Sequence, residues 1–312
     1  MTTVINQAGA LYNDSTQSYS LNRFKRAIFG YGRLSGSTYY SMTNIVTITG
    51  VVGTDVTGVG SARGSGAMAS FGNDRAIFAY GFISGTGYTS LTNLVSNIGV
   101  VSANVTGAGT ARVDLAAAGY GGDKAIFGYG IVSARYSLTN LVSNIGVVSA
   151  DVTGVGTARN ALAAAGYGGD KALFGYGTTA SSTYTSITNL VSNIGVVSAN
   201  VTGVGTARSS LAGAGYGGDK AIFGYGSTSA TFSMTNLVSN TGVVSADVAG
   251  VGTARWQLAA AGYGGDKAIF GYGSAAPLYS LTNLVSNTGV VSADVTGVGT
   301  ARKELAAASF GP

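Results

Sequence analysis

Residues 119–130 read GYGGDKAIFGYG, and residues 137–159 read SLTNLVSNIGVVSADVTGVGTAR. The wording returns along the chain. Its first base recurs at Arg26, Arg75, Lys124, Lys171, Lys220 and Lys267, at intervals of 49, 49, 47, 49 and 47 residues. A fixed period in that range marks a repeat architecture. It also changes how motifs are weighed, because a residue present six times is first a part of the unit.

Each copy divides at its glycines into four short runs. In the third copy these are Leu115–Tyr120, Lys124–Tyr129, Ser137–Ser143 and Val147–Val152, here named strands A to D. The runs are apolar or alternating and bounded by Gly, Asn and Asp, which is the strand signature. Gly every few residues penalises a helix, and Val, Ile and Thr favour strands. The tight connections, Gly121-Gly122-Asp123 and Asn144-Ile145-Gly146, suit antiparallel neighbours.

The expected fold is all-β: a six-bladed β-propeller with four antiparallel strands per blade. A β-solenoid is the structural alternative, and the ends of the chain speak against it. The last copy stops after strand A, near Leu305–Gly311, and the first starts at strand B, near Lys25–Gly30. The two fragments together make one blade, so the C-terminal strand A is expected to join the N-terminal blade and close the ring. An open array would leave pairing edges, and a solenoid needs distinct capping units. Strand A is Leu-Ala-Ala-Ala-Gly in several copies, small enough for the narrow centre of a ring. Strand B carries the bulk, with Ile126, Phe127 and Tyr129 expected between blades. Residues 1–20 lie outside the repeat, as an N-terminal extension that could dock to a neighbour. Residues 21–312 form the propeller.

Composition narrows the chemistry. Only 9% of residues are charged, 46% are hydrophobic, and 51 of 312 are Gly, which fits a turn-rich globular chain and not a disordered one. There is no His and no Cys, so histidine acid–base catalysis, disulfides and the usual zinc ligand sets are excluded. The N-terminal stretch has neither the basic cluster nor the apolar segment of a secretory signal, and no run reaches transmembrane-helix length. Neither a secretory leader nor membrane insertion is expected.

The net charge of +5 is misleading. Of 17 basic residues, 12 sit at two repeated positions: the anchor above and the set Arg63, Arg112, Arg159, Arg208, Arg255 and Arg302. The acids Asp74, Asp123, Asp170, Asp219 and Asp266 are periodic too. Charge is built into the unit instead of forming a stripe, which disfavours a nucleic-acid partner. The Asp before each anchor is read as a turn residue accepting backbone N–H groups. Each repeated Arg is read as a bridge between blades through carbonyls or an Asp. Rings of binding charges are the alternative for both sets.

The order R-x-x-L-A-A-A, then G-D-K-A-I-F-G-Y-G, resembles the kelch repeat over roughly residues 24–311. It departs in its G-Y-G doublet and in lacking the later Trp, since Trp256, the sole tryptophan, sits elsewhere. The wording also resembles near-identical kelch-like arrays encoded by tailed phages and other large viruses. That resemblance implies a virion location and a structural or appendage role, with other structural proteins of the assembly as partners.

No enzymatic signature accompanies it. Kelch-like oxidases hold copper through His and Tyr, and His is missing. Sialidase-type S-x-D-x-G-x-x-W boxes are missing too, and Glu304 is the only Glu, whereas glycosidases need a carboxylate pair. The G-V-G-T-A-R phrase lacks the G-K-[ST] and the helix of a phosphate loop. The D-V-T-G segment offers one carboxylate, replaced by Asn104 and Asn200 in two copies, so no metal is expected. Catalysis needs unlike groups converging on one spot, and symmetry works against it. The expectation is a non-enzyme without cofactor.

Function should then lie where the copies differ. One such place is the B–C loop: 33–40, 82–89, 131–136, 178–185, 227–232 and 274–279. The other is the pair after each repeated Arg, including Val113-Asp114, Trp256-Gln257 and Lys303-Glu304. Strands alternate in direction, so both places are expected on one face, with the nearly constant A–B and C–D turns on the other. Loops on a rigid scaffold commonly carry recognition, and the alternative is drift at tolerant positions. The candidate binding face comprises Tyr39, Tyr40, Tyr88, Asp114, Tyr136, Tyr184, Phe232, Trp256 and Tyr279. A structural role in a tail or capsid appendage is the first reading. A glycan-binding propeller is the second, and an intracellular interaction scaffold the third.

Overall fold

The computed structural model describes residues 25–312, and before them only the backbone of three short strands, Val4–Ile5, Leu11–Asn13 and Gln17–Ser18. The docking role expected of residues 1–20 falls outside the described residues. The fold is all-β. Among the described residues there is no helix, and hence none long and apolar enough to cross a membrane.

The repeat folds as a three-stranded antiparallel sheet. In the third copy, strand A is Ala116–Tyr120, strand B is Lys124–Gly128 and strand C is Thr139–Val142. Strand B lies in the middle, with Ala118 opposite Ile126 and Ile126 opposite Leu141. Tyr129 falls just past strand B with φ of 65°, held there between Gly128 and Gly130. Four further copies repeat this order within continuous sequence. In the remaining sheet, the C-terminal strand Ala306–Phe310 pairs with Arg26–Gly30, which pairs with Thr43–Val46. Ala306 faces Gly30 as Ala116 faces Gly128.

The expected fourth strand is a correction. Strand D is not a continuous ladder but two isolated bridges per copy, Val142–Val148 and Thr139–Val152 in the third. Strand C advances three residues between these bridges while the D segment advances four, so one extra residue forms a bulge. Ser149 repairs the gap: its Oγ accepts the Leu141 N–H at 2.9 Å and donates to the Ala150 carbonyl. The first copy has Gly53 at this position.

Strand B explains the packing. Its residues alternate between two cores, as a period of two requires. Ala125 and Phe127 join the core shared with the preceding sheet, and Ile126 joins the core shared with the following one. All three are fully buried. Aromatic pairs cross each junction, such as Tyr129 with Phe174 at 5.1 Å and Tyr272 with Phe29 at 5.2 Å, both edge to face.

Backbone hydrogen bonds join the sheets at both ends of strand A. At the A–B turns, Gly72, Gly121, Gly168 and Gly217 donate to the carbonyls of Asp123, Asp170, Asp219 and Asp266, while Gly264 donates to Lys25 and Gly311 to Asp74. At the other end, Asp114 donates to Ser65, Ala161 to Asp114, Ser210 to Ala161, Gln257 to Ser210, Glu304 to Gln257 and Ser65 to Glu304. Small side chains are required between these ends. A Cβ on Gly166 would stand 3.4 Å from the Gly119 carbonyl. Where the position is Ser, the hydroxyl turns the close approach into a bond, from Ser309 to the Gly262 carbonyl at 2.7 Å and from Ser70 to the Ser309 carbonyl at 2.8 Å.

Candidate interaction face

The repeated charges are joints. Arg63, Arg112, Arg159, Arg208, Arg255 and Arg302 are all fully buried. Arg112 donates from Nε to the Tyr129 carbonyl at 2.6 Å, from Nη1 to the Thr110 carbonyl at 3.0 Å and from Nη2 to Asn140 Oδ1 at 2.7 Å. Its guanidinium also lies over the ring of Tyr80 from the preceding sheet, 4.5 Å from the centroid. A planar fork that meets several acceptors and one aromatic face is what Arg provides and Lys does not. Asp151 stands 3.8 Å from Arg112 Nη1 and accepts the backbone N–H and hydroxyl of Thr110. Asn104 and Asn200 occupy this position in two copies, and their amides donate to Ser61 and Thr157 instead. The Asn side chains themselves, Asn140 and its equivalents, are fully buried.

Tyrosines complete each joint. Tyr129 Oη donates to the Val155 carbonyl at 3.1 Å. Burial pushes the phenols of Tyr31, Tyr80, Tyr176, Tyr225 and Tyr272 up to about 12, against the opposing pull of the neighbouring Arg. Sequence reading expected carbonyl partners for the Arg and placed the Tyr between blades, but did not join the two, and it missed the Asn. Their signal was invariance across all six copies.

The A–B turn acids are paired locally. Asp123, Asp170, Asp219 and Asp266 each hold the adjacent Lys at 2.6–3.1 Å, and Asp74 holds Arg75 at 3.3 Å. The ammonium of the neighbouring Lys draws the Asp123 carboxyl below its ordinary range. The C–D turns lie at this same end, where a Cβ on Gly146 would meet the ring of Phe71 from the preceding sheet at 2.9 Å. Pinned there, the turns push aliphatic side chains outward: Ile194 is 74% exposed and Val290 67%.

The varied positions meet at the opposite end. The first residue of each varied pair bridges to its own B–C loop, as Val113 does to Ile131, Trp256 to Ser274 and Lys303 to Arg33. The second residue of each pair takes a left-handed backbone, with φ of 52–57° from Ser65 through Glu304. These second residues, with the Leu after each (Gly66 after Ser65), line a depression of about 80 Å³.

One side of this end carries a polar cluster with no counterpart among the described residues of the other copies. Arg33 grips Glu304 with both branches, Nε to Oε2 at 2.7 Å and Nη2 to Oε1 at 2.6 Å. Ser65 Oγ donates to Glu304 Oε2 at 2.9 Å. Asn160 donates to Asp114 Oδ2 at 3.3 Å and accepts from Arg135 Nε at 2.8 Å. Half-buried Asp114 is pushed up by desolvation and by the charge of Glu304. Lys303 Nζ lies 4.7 Å from the Trp256 ring centroid. Only Asp114 and Trp256 of this cluster stand among the candidate residues from sequence. Arg33, Arg135, Lys303 and Glu304 were legible as charges outside the repeating positions.

The candidate aromatics of the B–C loops divide into two groups. Tyr40, Tyr136, Phe232 and Tyr279 close their loops, each backbone N–H donating to the Gly that follows the buried Tyr, as Tyr136 does to Gly130. They are half-buried. Tyr39, Tyr88 and Tyr184 sit one position earlier, on the loops themselves. Tyr88 and Tyr184 belong to short hairpins, Phe82–Ile83 with Gly87–Tyr88 and Thr178–Ala180 with Thr183–Tyr184. Tyr39 and Tyr88 flank Phe82 at 5.9 and 5.6 Å, and Tyr88 is 45% exposed. Tyr39, Phe82 and Tyr88 thus gather in one place, while Tyr184 belongs to a separate loop.

No family model matches the chain, and no curated protein matches it.

Proposed function

We propose that the chain is a closed six-bladed β-propeller serving as a non-enzymatic structural and interaction module, a component of a virion tail or capsid appendage, with the varied face turned to its partner. Closure is supported by the pairing of Ala306–Phe310 with Arg26–Gly30 and by the bonds from Gly311 to Asp74 and from Ser65 to Glu304. The virion setting rests on the kelch-like viral wording of the repeat.

One observation carries the functional reading. The repeated Arg, Asn and Tyr are engaged in joints between sheets, whereas the unlike polar and aromatic residues gather at one end. Rigid scaffolds present recognition in this manner. Purified particles of the source virus, probed with an antibody to the chain, should carry it. Particles carrying Tyr88→Ala with Arg135→Glu should hold much less of it than wild type. Equal incorporation, or absence of the chain from particles, would count against the proposal.

Glycan binding is the second reading, favoured by exposed Tyr88 beside Phe82 and Tyr39, since aromatic faces stack on sugars and several weak sites act together. A glycan array scores it: loss of signal on Tyr88→Ala supports it, and a blank array removes it.

A further inference from the structure

At the end opposite the varied face, the ends of all six A strands surround a depression of about 310 Å³. That lies near the lower end of the ~300–1,000 Å³ range of small-molecule sites. Five lysines line it, Lys25, Lys124, Lys171, Lys220 and Lys267, with Tyr and Gly residues between them and no acidic residue in the lining. The Asp partners of four of these lysines therefore stand outside it.

We infer that this depression binds one compact polyanion, a small molecule carrying several phosphate or sulfate groups. An ammonium carries three donors. Among the described residues the hydrogen bonds of Lys124, Lys171, Lys220 and Lys267 Nζ go only to the adjacent Asp, which leaves donors for a ligand. These exposed pairs are weak and yield readily to a multiply charged competitor. The first copy adds an imbalance, because it carries Lys25 where the other copies carry Asp. Lys25 Nζ donates to the Gly311 carbonyl at 2.7 Å and to that of Asn73, which fixes a base at the rim, with Asp74 the acid that acts on it. Tyr120, Tyr167, Tyr216 and Tyr263 also line the depression. Bases converging in a concave site focus the field on its centre. A ligand with several anionic groups engages several lysines at once, and each contact raises the effective concentration of the next.

Titration calorimetry of the whole chain with myo-inositol hexakisphosphate at low ionic strength tests this, with inorganic phosphate and a single-stranded oligonucleotide as separate arms. One hexakisphosphate per chain is expected, weakening with added salt, with inorganic phosphate far weaker. Lys124→Gln, Lys171→Gln, Lys220→Gln and Lys267→Gln together should weaken it at least about tenfold, a loss of about 1.4 kcal/mol. The matching Asp→Asn set at 123, 170, 219 and 266 keeps the turns and should tighten binding, which separates charge from misfolding. The inference is overturned by no binding, by affinity unchanged in the lysine variant, or by oligonucleotide binding of equal strength with several molecules per chain.

Discussion

Arg302 Nε donates to the carbonyl of Tyr31 at 2.8 Å, across 271 positions of sequence. The same bond joins Arg112 to Tyr129 across 17 positions. A joint made locally elsewhere in the repeat is thus made between the two ends of the chain, with the same atoms. Arg302 Nη2 also reaches Asn44 Oδ1 at 2.8 Å, as Arg112 reaches Asn140.

Replacing one joint should therefore be costly. Arg112→Ala leaves the Tyr129 carbonyl and Asn140 Oδ1 buried without their donor, and opens a cavity. A loss of about 3–5 kcal/mol is expected in urea unfolding. Arg112→Lys should recover little of it, because an ammonium lacks the planar fork. A loss under about 1 kcal/mol for the Ala variant would remove the joint from the account.

The buried phenols fix a pH dependence. Their folded values of about 12 lie above the ordinary value near 10. Their contribution to stability is thus fully present below pH ~10 and is lost as pH rises through ~12. Phenolate absorbance of the native chain should lag behind that of the urea-unfolded chain across this window. Superimposed curves would contradict the burial.

Glycine tolerance should follow space as well as φ. A Cβ on Gly154 would stand 2.1 Å from Ser137 Oγ and 2.3 Å from the Ser137 carbonyl carbon. Gly154→Ala should cost about 1–3 kcal/mol or more. Gly122 has φ of 79° and open space around it, so Gly122→Asn, a residue that tolerates this backbone, should cost less than about 1 kcal/mol. Thermal melts of the two variants check the order.

Arg33 and Glu304 test the unlike cluster. Their bidentate contact is partly buried, with Glu304 only 7% exposed. A double-mutant cycle of Arg33→Ala and Glu304→Ala should give a coupling of about 0.5–3 kcal/mol. Additive losses would mean that the pair contributes nothing as a pair.

Much of this was legible in the repeat. Gly-rich punctuation and β-branched runs pointed to strands, and strands A, B and C of the third copy stand within two residues of the expected bounds. Strand D was misread because Val147–Val152 alternates like a strand, while the bulge at Ser149 depends on a side-chain bond that alternation does not encode. The partners of the repeated Arg were hidden for another reason. Asn140 and Tyr129 stand 28 and 17 positions from Arg112, and no spacing in the sequence shows that the end of strand B and the start of strand C turn those two acceptors onto one guanidinium. The cluster around Glu304 was legible only in part: the expected closure brings positions 33 and 304 to one face, but the two-branched grip of Arg33 and the bond from Ser65 depend on side-chain geometry that the sequence does not encode.

Hydrogen exchange of the C-terminal strand tests ring closure most directly. If Ala306–Phe310 is held as the sixth strand A, its amides should be protected as strongly as those of Ala116–Tyr120, and both should exchange only on global unfolding. Fast exchange at 306–310 beside a protected 116–120 would show a free end, and would contradict the closed ring.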